Sequence, residues 1–429
     1  MEETAVTLRQ QLPHHADIFV HYSNLDIAVR RDVEERFAAA ATAVCVATST
    51  LELGVDIGSV DDVVLLGAPP TVNAFLQRIG RGNRRTAQSR ALCLPHSPGE
   101  WARFEALLWL AQEMGTQPSG HPATPQTPIS DQVYAFRPSV LVQQIFSLLK
   151  QSPTGAVRLA DVRRIAPPEI SSEEIRKIVS QLLFAGYLQM GRPGEWKPDV
   201  RLQELLDEAE IFSNLGGELH SITAVDAFTG RPLAQTEQSY PPGAILLLNA
   251  RPMRVVWVEK YRFGLVEAPG AVADDVLRVS QTRAAVPFAV TQRVAQSLGL
   301  KAGELVVVPQ AFGATLFHFW GTVWGELLTA VLVAQGILAE SINEYGLHLY
   351  QPMSQLPPWE DKTAQIAARK TAVTITGYVD MGRFHRLLPA DVALSATLSQ
   401  LNLPQFRQLM HQSQIAPYPH LHAQLEMLL

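Results

Sequence analysis

Between residues 17 and 95 the chain repeats a pattern that few folds accommodate: short apolar runs, too brief for helices, separated by helical stretches or polar loops. Ile18 to His21, Val44 to Ala47, Val63 to Leu66 and Ala91 to Pro95 are the runs. The stretch "LDIAVRRDVEERF" after the first carries Val29, Val33 and Phe37 at helical spacing. Apolar runs without alternation predict strands buried on both faces, and strand, helix, strand, strand, helix, strand is the rhythm of a parallel α/β sheet. Such sheets bind ligands at the carboxyl ends of their strands. The polar turn at Ser23 and Asn24, and the hydroxyl-rich loop holding Thr48, Ser49, Gly54 and Asp56, belong at that edge.

The stretch "QRIGRGNRR", residues 77 to 85, puts four arginines into nine positions. Thr71 is placed to cap a helix that begins after the prolines of "APPT". Helical spacing puts Val72, Phe75, Leu76 and Ile79 on one stripe and Gln77, Arg81 and Arg84 on the opposite one. A helix that buries the first stripe presents two guanidinium groups to an anion, or else shows water a solvated basic face.

Together "HYSNLD" with "RRDVEERF", "ATSTLELGVDIG" and "QRIGRGNRR" resemble, in order, motifs IV, V and VI of the second RecA-like domain of superfamily 2 helicases, with wording similar to the large helicase-related (Lhr) family. The resemblance implies that Arg81 and Arg84 are arginine fingers, which neutralise charge on a transferring γ-phosphoryl group. It implies nucleotide contacts for Gly54, Asp56 (to the ribose) and Gln77, and nucleic-acid contacts for Ser23, Thr48 and Ser49. The implied partners are nucleic acid, DNA ahead of RNA, and a first RecA-like domain in cis or in trans. The implied cofactors are ATP and Mg2+, and the expected location is the cytoplasm.

A complete motor also carries a phosphate-cradling G-x-x-x-x-G-K-[ST] loop and an acidic metal motif. No glycine in the chain is followed directly by lysine, and the acidic pair Asp61 and Asp62 reads as a turn before a strand. The opening "MEETAVTLRQQLP" reads as the helix that follows the first strand of a second RecA-like domain. Two functions follow as expectations. One is the finger half of a helicase, inactive alone and beginning inside a domain. The other is a motor-less module that binds nucleic acid or protein.

Net charge is -6, so nucleic-acid binding must come from local patches rather than a global basic field. Cys45 and Cys93 fall in apolar runs as free thiols. No metal site is supported, and "HQSQIAPYPHLH" reads as a polar loop. The apolar stretch from Gly321 contains Glu326 and Gln335, which marks a buried helix and not a membrane span.

The expected fold class is multidomain α/β plus α+β. A partial RecA-like parallel sheet occupies 1–114, a Pro/Ser/Thr-rich linker 115–134, a winged helix 135–212, and a β-rich, barrel-like domain with C-terminal helices 213–429. The winged helix reads as a brace, with a wing contact near Arg192. Trp257, Tyr261 and the cluster Phe317, Phe319, Trp320 and Trp324 read as core, with base stacking as the alternative.

Overall fold

Acidic first-turn residues mark the start of the first helix and a carboxylate cap the start of the second. The computed structural model describes residues 1–13, 15–22, 25–48, 60–82, 90–116, 136–207, 211, 222–236, 239–248, 251–259, 262–273, 275–277, 284–379 and 381–429. Helix α1 (Glu2–Gln11) carries Glu2 and Glu3 in its first turn and Arg9 in its last, matching the helix dipole at both ends. Strand β1 (Asp17–His21) leads to α2 (Ile27–Ala39), capped by Asp26, whose carboxylate accepts the Ala28 N–H at 2.9 Å. Strands β2 (Ala43–Ala47) and β3 (Val63–Leu66), helix α3 (Val72–Ile79), strand β4 (Ala91–Leu94) and helix α4 (Pro98–Thr116) complete this stretch.

The expected single parallel sheet is present among the described residues as two parallel pairs. In one, β1 and β2 run in register from Asp17 opposite Ala43 to His21 opposite Ala47. In the other, Val63 N donates to Arg90 O at 3.0 Å and Gly67 N to Leu94 O at 2.9 Å, the same step on both strands. Burial on both faces is found in β1, where Ile18, Phe19, Val20 and His21 are all buried, but not in the other three strands. Strand β2 is half-buried throughout, and in β3 and β4 only Leu65 is buried, while Val64, Leu66, Leu92 and Leu94 are exposed. One covered face produces alternation, which a run of uniformly apolar residues does not reveal.

Helix α5 (Pro138–Gln151), strand β5 (Val157–Arg158), helices α6 (Leu159–Ile165) and α7 (Ser172–Phe184), strands β6 (Leu188–Met190) and β7 (Glu195–Pro198), and helix α8 (Val200–Asp207) follow in turn. Ser171 settles the start of α7: its Oγ accepts the Glu174 N–H at 3.1 Å, and the Glu174 carboxylate accepts the Ser171 N–H at 2.8 Å. Leu141, Ile145 and Phe146 of α5 and Ile175, Ile178 and Leu182 of α7 are all buried, and the strands form an antiparallel sheet in the order β5-β7-β6.

The third stretch is β-rich. Its strands are β8 (Ile222–Asp226), β9 (Pro232–Thr236), β10 (Ile245–Leu248), β11 (Arg251–Val258), β12 (Arg262–Glu267) and β13 (Asp275–Val276), in the order β13-β10-β11-β12-β8-β9. The hairpin expected from "VVWVEKYRFGLVEA" is the antiparallel β11–β12 pair, with Trp257 opposite Gly264. Only glycine fits there, because a Cβ on residue 264 would stand 2.2 Å from the Trp257 Nε1. Tyr261 lies outside the described residues.

The last stretch holds α9 (Phe288–Ser297), β14 (Glu304–Pro309), β15 (Ala314–Phe317), α10 (Gly321–Ala334), β16 (Ala339–Ser341), β17 (Gly346–Leu349), α11 (Asp361–Ile375), α12 (Ala390–Ser399), α13 (Leu403–Gln412), β18 (Gln414–Ile415) and α14 (His422–Glu426). Trp320, Trp324, Leu327 and Leu328 are fully buried with Leu316, Leu347 and Phe406, so α10 is a core helix. No described helix is long and apolar enough to cross a membrane. Phe317, Phe319, Trp320 and Trp324 are all fully buried, which rules out stacking on a base and leaves them as core. The segment expected as a polar loop near the end instead adds β18 to β14 and turns into α14, anchored by the Tyr418 hydroxyl donating to Glu304 at 2.5 Å.

The chain divides into two compact units, each discontinuous in sequence. One comprises Met1–Val63, Gln77–Ala91 and Phe212–Gln281; the other comprises Val64–Leu76, Leu92–Ile211 and Thr282–Leu429. In the first, Ile18, Val20 and Tyr22 face one core with Ala224, Leu246, Val255 and Phe263 of the six-stranded sheet. Strand alternation sends Phe19 the other way, against Phe37 of α2 in an edge contact at 5.9 Å. The β-rich strands beyond 222 therefore belong to two sheets with separate cores.

Candidate nucleotide and nucleic-acid edge

Helix α3 starts where the sequence places it. The Thr71 hydroxyl accepts the Ala74 N–H at 3.1 Å, and the Thr71 carbonyl accepts the Phe75 N–H at 3.0 Å. Phe75 is buried, with Val72, Leu76 and Ile79 half-buried beside it, which is the expected apolar stripe. Gln77 is exposed on the helix.

Arg81 does not continue the helix. The chain leaves α3 at Ile79 through a tighter turn, in which Arg81 N donates to Arg78 O at 3.2 Å and Gly82 N to Ile79 O at 3.1 Å. Gly80 and Gly82 on either side of Arg81 explain the break, because glycine is costly inside a helix. Gly82 then forms a parallel bridge with Val60 and lies so close to the Arg90 backbone that a Cβ would stand 3.2 Å from its carbonyl oxygen. Arg81 is half-buried in this turn. The single helical face expected for Gln77, Arg81 and Arg84 is therefore replaced, within the described residues, by a helix carrying Gln77 and a glycine-flanked turn carrying Arg81. Arg84, Gly54, Asp56, Ser23 and Ser49 lie outside the described residues.

Thr48 stands at the carboxyl end of the parallel pair. It is the first residue after β2, is exposed, and its N–H donates to the His21 carbonyl at the end of β1, at 3.2 Å. A short hydroxyl in that position can donate to an anionic oxygen.

Sequence reasoning missed the pair directly beneath. His21, only 1 % exposed, bonds through Nε2 to Glu34 of α2 at 2.9 Å. Burial pushes the imidazole pKa down, partly opposed by the Glu34 bond, and the pair ties α2 to the end of β1. A polar residue closing an apolar run was the available signal. Burial drives the neighbouring Cys45 thiol up to about 12, so this cysteine is inert packing, and both cysteines are free.

The opposite end of β1 carries a different feature. A cavity of about 340 Å³ is lined by Arg9, Asp17, Asp32, Arg36 and Arg251 among others. Its arginines already have partners: Arg9 donates to Ile18 O at 3.1 Å, Arg36 lies 3.5 Å from Asp32, and Arg251 lies 2.6 Å from Glu267. Among the described residues no three His, Cys, Asp or Glu side chains gather as a metal site, and Asp62 pairs instead with Arg90 at 3.0 Å.

Comparison with known proteins finds relatives of the segment that holds these residues. Residues 2–86 match the helicase conserved C-terminal domain. The ATP-dependent helicase Lhr-Core protein 2 of Thermococcus barophilus is 44% identical over 85 residues, which is 20% of this chain and 10% of that protein. The Lhr helicase/probable uracil glycosylase of Mycolicibacterium smegmatis is 25% identical over 294 residues, 62% of this chain and 18% of that protein. The matched stretches thus span less than a fifth of these relatives. The structure of Mycobacterium smegmatis helicase Lhr bound to ssDNA and AMP-PNP superposes with a TM-score of 0.53 at 16% identity, covering 99% of this chain and 65% of that one, which is a likeness of fold. Residues 2–86 thus carry a helicase conserved C-terminal domain, and this segment is similar in sequence to ATP-dependent helicases of the Lhr-Core type.

Proposed function

We propose that this chain supplies the far wall of the nucleotide site in an ATP-dependent nucleic-acid helicase, acting on a triphosphate held by a first RecA-like domain in cis or in trans. The observation that carries this reading is Arg81, set in a glycine-flanked turn at the end of a capped helix within the family-matched segment. The turn at 78–82 and the Val60–Gly82 bridge fix the backbone that carries Arg81, and a guanidinium delivered from that backbone to a γ-phosphoryl group would stabilise the charge developing on it. In this reading Arg84 is the second finger, Gln77 links the finger turn to the rest of the site, and Asp56 and Gly54 meet the ribose and phosphates. ATP supplies the energy of the cycle, with Mg2+ on its phosphates.

Thr48, with Ser23 and Ser49, grips the backbone of a nucleic acid, DNA in preference to RNA, at the carboxyl edge of β1 and β2. The helix, strand, helix, helix, strand, strand order from α5 to β7 supports a winged helix in this stretch. The expected location is cytoplasmic.

Reconstitution tests the assignment. A first RecA-like domain, fused or added, is combined with the parent chain, Arg81→Ala or Arg81→Lys, and DNA-stimulated ATP turnover and DNA affinity are measured on the same proteins. Loss of turnover by roughly three orders of magnitude with near-normal affinity is expected for Arg81→Ala, with little rescue by lysine. Weaker, salt-sensitive binding with normal turnover at saturating DNA refutes the finger role.

A further inference from the structure

The hairpin joining β8 to β9 ends in an aromatic ring that the fold does not use. Phe228 is 87% exposed, among the most exposed large apolar residues described. The turn beneath it is nevertheless tightly fixed. One oxygen of the Asp226 carboxylate accepts the Phe228 N–H at 3.0 Å, the Thr229 N–H at 2.8 Å and the Thr229 hydroxyl at 2.8 Å. Gly230 N donates to Asp226 O at 2.8 Å, Asp226 N to Arg231 O at 2.8 Å, and Gly230 takes the left-handed φ of +70° that closes the turn. Bonds from Thr229 hold the Asp226 carboxyl below the usual carboxylate range, so it stays an ionised triple acceptor. The turn is complete without the phenyl ring, and an exposed ring on a rigid support loses little freedom when it binds.

The placement of the hairpin gives the ring a use. Strand β9 is tied to the chain just past the carboxyl end of β1: Asp26 N donates to Leu233 O at 3.0 Å, and Leu25 forms an antiparallel bridge with Ala234. Thr48 is bonded to that same end of β1 through the His21 carbonyl. Phe228 stands six residues before Ala234, a reach of at most roughly 20 Å along the chain. Its neighbours Ala227, Thr229 and Gly230 form no apolar patch, and Arg231, at the foot of the turn, is exposed. A single exposed ring with an exposed arginine three residues further along the same turn fits a base and its phosphate better than it fits an apolar protein surface.

We propose that Phe228 is a stacking platform for an unpaired base of single-stranded nucleic acid that passes the edge marked by Thr48, with Arg231 placed for the adjoining phosphate. This rests on the reading of that edge as a nucleic-acid surface.

The test uses the full chain and a single-stranded oligodeoxynucleotide, with affinity read by fluorescence anisotropy and stacking by quenching of an internal 2-aminopurine. Base stacking removed by alanine weakens binding about tenfold. Phe228→Ala is therefore expected to bind about tenfold more weakly and to lose the quench, and Phe228→Trp to restore both. Phe312, equally exposed at 87% at the tip of the β14–β15 hairpin but with no basic neighbour, is the control, and Phe312→Ala is expected to bind within twofold of the parent. The proposal is overturned if Phe228→Ala binds within twofold of the parent, if blunt duplex without unpaired bases suffers the same loss, or if Phe312→Ala loses as much. If the parent chain binds no single strand at all, the nucleic-acid reading of the edge falls with it; normal binding indifferent to Phe228 removes the platform alone.

Discussion

Replacing His318 with a residue that cannot titrate should remove a measurable part of the acid sensitivity of the unit built around α10. His318 follows β15 and is fully buried. Its Nδ1 accepts the Trp320 N–H at 2.9 Å, and its ring packs on Gly325, where a Cβ would stand 2.8 Å from Cε1. Burial lowers the imidazole from 6.5 to about 3. The unfolded chain therefore takes up a proton near pH 6.5 that the folded chain refuses. Stability from this group is complete above that pH and is lost progressively as pH falls toward about 3. Around pH 5 the loss is roughly 2 kcal/mol, from about 1.4 kcal/mol per pH unit below the unfolded pKa.

His318→Asn keeps an acceptor for the Trp320 N–H but leaves part of the ring volume empty, which costs roughly 1 to 3 kcal/mol at every pH. The pH dependence, not the absolute stability, is the readout. Urea unfolding followed by tryptophan fluorescence near pH 7.5 and near pH 5 gives both slopes. Carboxylates contribute equally to the two proteins, so the parent should lose roughly 2 kcal/mol more than the variant. Parallel losses in parent and variant would refute the buried neutral imidazole.

Two further outcomes follow from the packing. Hydrogen exchange should be faster by roughly two orders of magnitude at Cys45 and Leu65 than at Leu305 and Leu316, because among the described residues β2 pairs only with β1 and β3 only with β4; equal, strong protection would contradict this. Gly264→Ala should destabilise the six-stranded sheet by roughly 1 to 3 kcal/mol and shift Trp257 emission, since the new methyl displaces the indole; unchanged melting and emission would show that the contact is soft.

Much of the fold was legible because local chemistry decided it. Thr71, Ser171 and the acids after Ser171 mark helix starts that the structure reproduces, and the alternation in "VVWVEKYRFGLVEA" marks a hairpin that forms. What was not legible depends on partners far along the chain. The apolar runs at β3 and β4 carry no sign of which face is left uncovered, and the shared core of Val20 with Phe263 joins residues that no local period relates. At the site, helical spacing carried Arg81 one turn too far, because the glycines at 80 and 82 weigh more than the stripe that precedes them. The buried His21–Glu34 pair needed the register of β1 against α2, which spacing alone does not supply.

The discontinuity of the second unit governs the order in which a ribosome can deliver it. Ser139 of α5 donates its hydroxyl to the carbonyl of Met381 at 2.6 Å, and Phe146 meets Phe384 edge-on at 5.3 Å. The two ends of that hydrogen bond lie 242 residues apart. At about 5 to 20 residues per second, α5 waits roughly 10 to 50 s after its own synthesis before Met381 is made. Through that interval the amphipathic helix must shield its apolar face on α6 and β7 or borrow a chaperone. Strengthening contacts inside residues 138–207 should therefore raise soluble yield more than strengthening an equal number of contacts to residues 381–429.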